Sequence, residues 1–224
     1  MKILVFDTET SGLPEHNASI QENERWPHIL QISYILYDIS SNNAIIKDNF
    51  IKVADSVVIT EESFNIHHIS RDHLNNFGVH IIPAMREFNE FLRISDLIIG
   101  HNVSFDKRMV FVECLRNNIK QNFTVFRGKN KIQKSEYCTM KNSKEFCNII
   151  RLNKTGREFV KNPSLTELYQ KLFPDAILPE NLHNSMVDTL ITLRCYMKLN
   201  YDLDIADVNE VCRDILIKYN ILVF

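Results

Sequence analysis

Glycine and proline are scarce in this chain, which has only 5 glycines and 6 prolines among its 224 residues. This low content excludes collagen-like and flexible linker classes. Charged residues make up 24% of the chain and leave no apolar run long enough for a membrane-spanning helix. The first apolar stretch, residues 3–6, ends at Asp7 and is too short for the core of a secretion signal. We therefore expect a soluble protein that is not exported and does not contact a membrane.

Paired cysteines and an excess of positive charge are also missing. The net charge is −2, which argues against a protein that coats nucleic acid by charge alone. No Cys-x-x-Cys motif is present, so the sequence indicates neither a disulfide framework nor a zinc site. A reducing compartment, the cytoplasm, is the setting that we predict. The five scattered cysteines are Cys114, Cys138, Cys147, Cys195 and Cys212.

Positive charge is nevertheless concentrated in one stretch. Residues 127–161 hold ten lysines and arginines against three acidic residues, a net charge of +7, so the remainder of the chain carries −9. The stretch is either a loop that faces a polyanion or a solvated surface. If it faces a polyanion, we expect Lys129, Lys131 and Lys134 to contact phosphates.

Strand-like runs dominate the first third of the chain, and helix-like patterns with one further strand follow. This order predicts one α/β domain with a mixed sheet and helices packed on its faces. Two long polar stretches, 10–28 and 120–162, are typical of functional loops or insertions. The predicted strands are 2–6, 29–39, 44–53 and 96–100, and the predicted helices are one that ends near 93 and those at 105–119, 164–173 and 184–199.

The last segment has apolar residues on one face of a helix. We place the main domain at residues 1–200 and a terminal amphipathic helix at 201–224. The helix either packs on the same domain or binds a partner protein. Its apolar face is formed by Val208, Val211, Cys212, Ile215 and Tyr219.

Two acidic residues end the first predicted strand. Asp7 and Glu9 are two residues apart, and residues at this spacing project from the same face of a strand. Two carboxylates at one strand end repel each other unless a cation or hydrogen-bond donors neutralise them, and Mg²⁺ or Mn²⁺ suits such oxygen ligands. An acid pair that points into solvent is the alternative.

Further acidic residues and a histidine lie beyond the middle of the chain. Asp106 follows a buried strand, where it either joins a ligand site or complements a helix dipole. His183 and Asp188 are about 140° apart on an ideal helix, so His183 must precede the helix, with Asn184 or Ser185 as its cap. Four carboxylates could hold two divalent cations, and an imidazole with a pKa of about 6.5 could deprotonate a bound water. This combination predicts a phosphodiesterase site.

Three motifs carry a resemblance to a known family. FDTETSGLP at 6–14, HNVSFD at 101–106 and HNSMVD at 183–188 resemble, in order and spacing, the motifs of the DEDDh 3′–5′ exonucleases, which include proofreading exonucleases and ribonuclease T. WPHILQIS at 26–33, IHHIS at 66–70 and parts of 138–174 extend the likeness over most of residues 1–199. A related subclass has tyrosine where Asn184 stands, which indicates the histidine subclass here.

The resemblance implies a ribonuclease H-like α/β fold, a five-stranded mixed sheet flanked by helices with its first three strands antiparallel. It also implies two Mg²⁺ or Mn²⁺ ions, which Asp7 would bridge. Glu9 and Asp188 would bind the ion that holds the attacking water, and Asp106 would help to hold the other ion. His183 would be the general base.

The same resemblance implies a binding site for the terminal nucleotide. The backbone around Thr8 and Thr10, together with Leu13, would receive this nucleotide, and His67 and Phe105 would lie near its sugar and base. The implied activity is release of nucleoside 5′-monophosphates from the 3′ end of nucleic acid, and we favour single-stranded DNA. An exoribonuclease or oligoribonuclease is one alternative. A polymerase-associated proofreading or accessory module, bound through 201–224, is another.

Overall fold

The computed structural model describes residues 1–179 and 182–222, with the backbone alone for residues 125–127. Within these residues, nine strands form one five-stranded sheet and two separate hairpins. The strands are β1 (Lys2–Thr10), β2 (Ile29–Asp38), β3 (Asn43–Phe50), β4 (Leu97–Gly100), β5 (Thr124–Arg127), β6 (Asn130–Gln133), β7 (Ser135–Cys138), β8 (Ile149–Leu152) and β9 (Glu158–Lys161).

Ten α-helices and one short 3-10 helix, Asn23–Arg25, lie in the described ranges. No helix among them combines the length and the apolar composition that a bilayer span needs. The α-helices are α1 (Glu61–His67), α2 (Arg71–Phe77), α3 (Ile81–Ile94), α4 (Val103–Arg116), α5 (Thr139–Asn142), α6 (Lys144–Cys147), α7 (Leu165–Leu172), α8 (Ser185–Tyr201), α9 (Ile205–Val208) and α10 (Glu210–Lys218).

The main sheet has the strand order β3-β2-β1-β4-β7. β2 is antiparallel to β1 and β3, whereas β4 runs parallel to both β1 and β7. Val5 pairs with Ile99 and Gly100 pairs with Cys138, so the carboxyl ends of β1, β4 and β7 lie at one end of the sheet. This is the expected five-stranded mixed sheet with three antiparallel strands first, and the predicted fold class is confirmed.

β1 lies in the middle of the sheet and is covered on both faces. Ile3 and Val5 belong to the core formed with α7, α8 and the C-terminal segment, whereas Leu4 and Phe6 belong to the core formed with α3 and α4. A continuous apolar run is typical of a strand buried on both faces. Because side chains alternate along a strand, the same parity carries the two acidic residues of β1 to the α8 face.

Polar side chains determine where two of the helices begin. Ser164 and Glu167 form the expected capping box at the start of α7. The side chain of Asn184 caps α8 by accepting hydrogen bonds from two backbone N–H groups. α8 therefore begins at Ser185, and His183 precedes the helix as its spacing from the last acid requires.

The stretch 120–162 contains more regular structure than its sequence predicts. The β5–β6 and β8–β9 hairpins lie within it, as do two short helices and the fifth strand of the sheet. That strand, β7, has only four residues and only Cys138 is buried. It is held by backbone pairing with β4, a contact that leaves no periodic pattern in the side chains.

The prediction of a single helix over 201–224 is wrong, because two helices replace it. α9 ends at Val208, and the side chain of Asn209 caps the start of α10. Ile205, Cys212 and Leu216 are buried in the core that includes α8. Residues 223 and 224 lie outside the described part of the chain, and the domain boundary at residue 200 stays a prediction.

Replacing Leu216 by alanine tests the packing of this segment. Leu216→Ala should lower the free energy of unfolding by about 2–5 kcal/mol, because the side chain is fully buried and its loss leaves a cavity. Val211→Ala is the control in the same helix, since Val211 is half exposed, and should change it by less than about 1 kcal/mol. Urea unfolding measures both values. Equally small effects would favour a partner-binding segment over one packed on the domain.

Candidate active site

Three carboxylates converge at the carboxyl end of β1. Oxygen atoms of Asp7, Glu9 and Asp188, one from each residue, lie within 4.8 Å of one another. Asp7 and Glu9 share the face of β1 on which α8 packs, and Asp188 lies in the first turn of α8. This compact group therefore joins two elements that are far apart in the sequence.

Asp106 lies beside this group, toward the other face of β1. Its Oδ1 atom accepts hydrogen bonds from the backbone N–H of Thr8 at 3.0 Å and from the Thr8 hydroxyl at 2.8 Å. Thr8 has the opposite parity to the two acids of β1, so it faces α4, whose first turn holds Asp106. Asn102, with a φ of +68°, turns the chain from β4 into α4, a left-handed conformation that asparagine tolerates.

Burial and mutual repulsion oppose the ionisation of these four carboxylates. Burial raises the pKa of Asp7 well above its usual range, and repulsion from the other three acids raises it further. Burial, with repulsion from Asp188 and Asp106, raises the pKa of Glu9 to about 9. Burial also raises the pKa of Asp106 to about 7, although hydrogen bonds from Thr8 lower it, and raises the pKa of Asp188 to about 7. The site therefore needs a counter-charge to hold all four charges.

A divalent cation fits this group of oxygen atoms. The Oδ1 atom of Asp188 is buried and has no hydrogen-bond partner in the described part of the chain. Such an atom is costly unless a ligand satisfies it. Carboxylate oxygens are the ligands that Mg²⁺ and Mn²⁺ prefer, and a bound cation offsets the repulsion that raises the pKa values.

Ser185 joins α8 to both β1 and β2. Its hydroxyl donates to the backbone carbonyl of Asp7 at 2.6 Å and accepts from the backbone N–H of Ser33 at 3.1 Å. The backbone N–H of Ser185 donates to the Oε1 atom of Gln31 at 3.2 Å. These buried bonds hold the helix that carries Asp188 against the strand that carries Asp7. Sequence patterns did not single out Gln31 and Ser33, although their alternation inside the apolar run ILQISYIL was a usable signal.

His183 flanks the acidic cluster from the loop before α8. The residue is exposed and has a φ of +69°. Burial lowers the pKa of His67, a hydrogen bond to the backbone carbonyl of Thr10 offsets part of that shift, and positive charge on His68 and His183 lowers it further. Burial raises the pKa of Asp188, and a hydrogen bond from the backbone N–H of His183 offsets part of that rise. His183 thus directly precedes Asn184, the cap of the helix whose first turn carries Asp188.

A cavity of about 230 Å³ adjoins the acidic cluster through Glu9. The end of β1, the turn that follows it, α1 and the first turn of α4 supply its wall. All five residues expected to receive the terminal nucleotide lie in this wall, and they are Thr8, Thr10, Leu13, His67 and Phe105.

Internal hydrogen bonds hold the shape of this wall. The Nδ1 atom of His67 accepts from the backbone N–H of Ile69 at 2.9 Å, which leaves Nε2–H to donate to the backbone carbonyl of Thr10 at 3.2 Å. The hydroxyl of Thr10 donates to the carbonyl of Gly12 at 2.7 Å. Leu13 is 82% exposed and presents an apolar surface at the rim.

The three lysines named as phosphate contacts do not join this site. Lys134 directly precedes β7, so it lies at the end of the sheet opposite to the acidic cluster. Its ammonium group donates to the backbone carbonyls of Ser95 and Arg93, and its bonded partners are therefore main-chain oxygens. Lys129 and Lys131 are exposed in the β5–β6 hairpin, which begins and ends near Lys134.

The chain is similar in sequence to a described protein family. Residues 4–196 match the profile of the ribonuclease T exonuclease family. The chain belongs to this exonuclease family. The predicted family is thus confirmed on most of the chain's length. No curated protein matches this exonuclease-family chain.

Solved structures of Escherichia coli exonuclease I share the fold of this exonuclease-family chain. The complex with a dT13 oligonucleotide has a TM-score of 0.64 and 18% identity, over 88% of this chain and 41% of that chain. The zinc-bound complex with single-stranded DNA has a TM-score of 0.63 and 18% identity, over 97% of this chain and 43% of that chain. This exonuclease-family chain therefore spans less than half the length of exonuclease I. At such identity the similarity establishes the ribonuclease H-like fold.

In EDTA, the free energy of unfolding of the chain should fall as the pH rises from about 4 to about 9. In the folded chain the pKa is about 7 for Asp106 and Asp188 and about 9 for Glu9, whereas unfolded carboxyls titrate at about 4. Folding thus favours the protonated forms. Their contribution to stability is fully present below about pH 4 and is lost as the pH rises through the folded pKa values. Thermal unfolding at stepped pH values measures this loss.

Asp188→Asn should raise the Tm in EDTA above pH about 7 by at least about 3 °C, because a buried ionised carboxylate is removed. The same variant should lose most of the increase in Tm that Mg²⁺ or Mn²⁺ gives the wild type. Asp214→Asn changes an exposed residue of α10 and should behave as the wild type in both measurements. Equal Tm values and equal cation responses for Asp188→Asn and the wild type would rule out a cation site here.

Proposed function

We propose that the chain is a metal-dependent 3′–5′ exonuclease that releases nucleoside 5′-monophosphates from the 3′ end of single-stranded DNA. The observation that carries this proposal is the convergence of the four carboxylates beside a cavity that Glu9 helps to line. Membership of the exonuclease family supports the reaction class. The dT13 and dA16 complexes of exonuclease I, which has the same fold, support single-stranded DNA as the substrate class.

Asp7, Glu9 and Asp188 would hold one divalent cation, and Asp106 with Asp7 would hold a second. When bound, two such cations supply positive charge for the attacking and leaving oxygens of a phosphodiester and lower the pKa of water. The chain itself holds the metal-binding carboxylates in position. Thr8 orients Asp106 through two hydrogen bonds, and Ser185 ties the α8 end to the backbone of Asp7.

His183 is the residue that we assign as the general base. It is exposed, and it stands next to the acidic cluster. The rings of His67 and His101 also lie at this end of the sheet, but both nitrogens of each are bonded to neighbouring backbone or hydroxyl groups. Those two rings are therefore held as structural groups, whereas His183 can accept a proton from water that attacks the terminal phosphodiester.

Substitutions separate the role of metal ligand from the role of general base. Asp7→Asn and Asp188→Asn should lower kcat by at least about 1,000-fold and reduce the Mn²⁺-dependent rise in Tm, because ligand oxygens are lost. His183→Ala should lower kcat by about 100- to 10,000-fold and leave the Mn²⁺-dependent rise in Tm unchanged. His16→Ala, at an exposed position in the loop after β1, is the control. Near wild-type turnover in either aspartate variant would contradict the assignment.

Matched DNA and RNA oligomers decide the substrate. With 5′-labelled single strands of one sequence, we expect a ladder that shortens from the 3′ end of DNA in Mg²⁺ or Mn²⁺, and none in EDTA. A protein distinguishes the two strands through the 2′-hydroxyl. Shortening of RNA alone would replace this proposal by the exoribonuclease or oligoribonuclease alternative. If neither strand shortens, the proposed activity of the isolated chain is wrong, and the polymerase-associated alternative is the one to test.

A further inference from the structure

His101 ties both ends of a basic segment to the active-site end of the sheet. It follows β4 directly. Its Nε2–H donates to the backbone carbonyl of Pro163 at 3.1 Å, and its Nδ1 accepts from the hydroxyl of Thr139 at 3.0 Å. Burial lowers the pKa of His101 to about 4, so the ring is neutral at neutral pH and keeps both bonds. Residues 139–163 therefore leave and rejoin the sheet beside the loop that leads to Asp106.

A hairpin with a well-bonded turn lies within this segment. β8 and β9 pair in antiparallel register, and the backbone N–H of Asn153 donates to the carbonyl of Arg157 at 2.9 Å. The side chain of Asn153 accepts from the backbone N–H groups of Thr155 and Arg157. Gly156 has a φ of +79°, a left-handed conformation that favours glycine. The hairpin is therefore a defined arm within a segment that leaves and rejoins the active-site end of the sheet.

The hairpin presents positive charge and an aromatic ring to solvent. Arg151 and Phe159 are direct cross-strand partners, so their side chains project from one face. Phe159 is 47% exposed. Arg151, Lys154 and Arg157 are exposed and form no ion pair with any residue of the ranges 1–179 and 182–222. These are the two kinds of group that bind single-stranded nucleic acid, by base stacking and by contact with phosphates.

We propose that the β8–β9 hairpin binds the single-stranded DNA that extends to the 5′ side of the terminal nucleotide. This inference rests on the proposed function and adds a second contact surface to the same site. Charge complementarity favours this occupant, because the chain outside residues 127–161 carries a net charge of −9 and repels a polyanion. The hairpin is an exception to this negative charge, and its segment begins and ends at the end of the sheet where the DNA would be cut.

The other hairpin of the basic stretch lies differently. β5–β6 ends at Lys134, which bonds to backbone carbonyls just before β4, and this is the opposite end of the sheet from the acidic cluster. One continuous basic stretch in the sequence is therefore divided in space. The half that contains Arg151, Lys154 and Arg157 belongs to the segment anchored at the same end of the sheet as the acidic cluster.

A triple variant of the full chain, Arg151→Ala/Lys154→Ala/Arg157→Ala, tests the phosphate contacts. Fluorescence anisotropy in EDTA, with a labelled oligodeoxythymidylate of about 20 nucleotides, measures Kd without cleavage. Kd should rise at least about tenfold, and the slope of log affinity against log salt concentration should fall by about 2, since each contact with a single strand contributes about 0.7. Circular dichroism checks that the variant is folded.

The matched control removes the same number of positive charges from the opposite end of the sheet. Lys2 begins β1, Arg93 lies in the last turn of α3, and Lys120 follows α4, and all three are exposed. Lys2→Ala/Arg93→Ala/Lys120→Ala should leave Kd within about twofold at a salt concentration of about 0.1 M, where charges more than about 10 Å away are screened. Equal losses in both triple variants would show a general charge effect and overturn the proposal.

Phe159 tests the stacking contact. Phe159→Ala should raise Kd at least about fivefold with no change in the salt slope, because stacking involves no counterion release. Phe159→Trp should restore the affinity. A change in the salt slope for Phe159→Ala, or no rescue by tryptophan, would argue that the ring only supports the hairpin.

Failure of this inference and failure of the proposed function give different results. If the wild type shortens DNA and the hairpin variants bind it with unchanged Kd, the hairpin is not a binding surface and the exonuclease proposal stands. If the wild type shortens no strand but its binding in EDTA depends on the hairpin, the hairpin proposal stands and the exonuclease proposal fails. A large loss of affinity in Lys129→Ala/Lys131→Ala, without one in the β8–β9 variants, would move the contact to the other hairpin.

Discussion

Four carboxylates are held in a small volume at the carboxyl end of β1, where burial opposes the ionisation of all four and repulsion from neighbouring acids adds to it at Asp7, Glu9 and Asp188. The fold supplies hydrogen-bond donors to Asp106 through Thr8, but leaves a buried oxygen of Asp188 without a partner among the described residues. Such a site lowers the stability of the folded chain at neutral pH and gains most from a cation. The rest of the architecture serves to hold these charges together.

Two sets of polar groups surround the charges, and they differ in what they contact. The side chains of Thr10, His67 and Ser185 form hydrogen bonds with the chain's own backbone and so fix the position of β1 against α1 and α8. His183 and Leu13 are exposed, and Leu13 lines the cavity beside Glu9. A site built in this way is preorganised, because the bonded groups would not need to move if the free groups bound a ligand.

The sequence predicted the main elements of the sheet, and the four acids with His183, through short-range patterns. It missed β7, because a four-residue strand at the sheet edge is too short to show a side-chain pattern, although its backbone pairs with β4. It also merged α9 and α10, since the apolar spacing continues across Asn209 although the helix does not. Gln31 and Ser33 were overlooked because their role arises only when α8 packs on β2.

Local geometry within a few residues is what the sequence by itself determined: the shared face of Asp7 and Glu9, and the capped start of α8 that leaves His183 outside the helix. The tertiary structure alone decided which half of the basic stretch is anchored at the end of the sheet where these acids lie. That placement involves hydrogen bonds of His101 with the Thr139 hydroxyl and with the Pro163 carbonyl, across 38 and 62 residues of chain. Contacts over such separations have no periodic signature, because they form only after the sheet and its helices have packed.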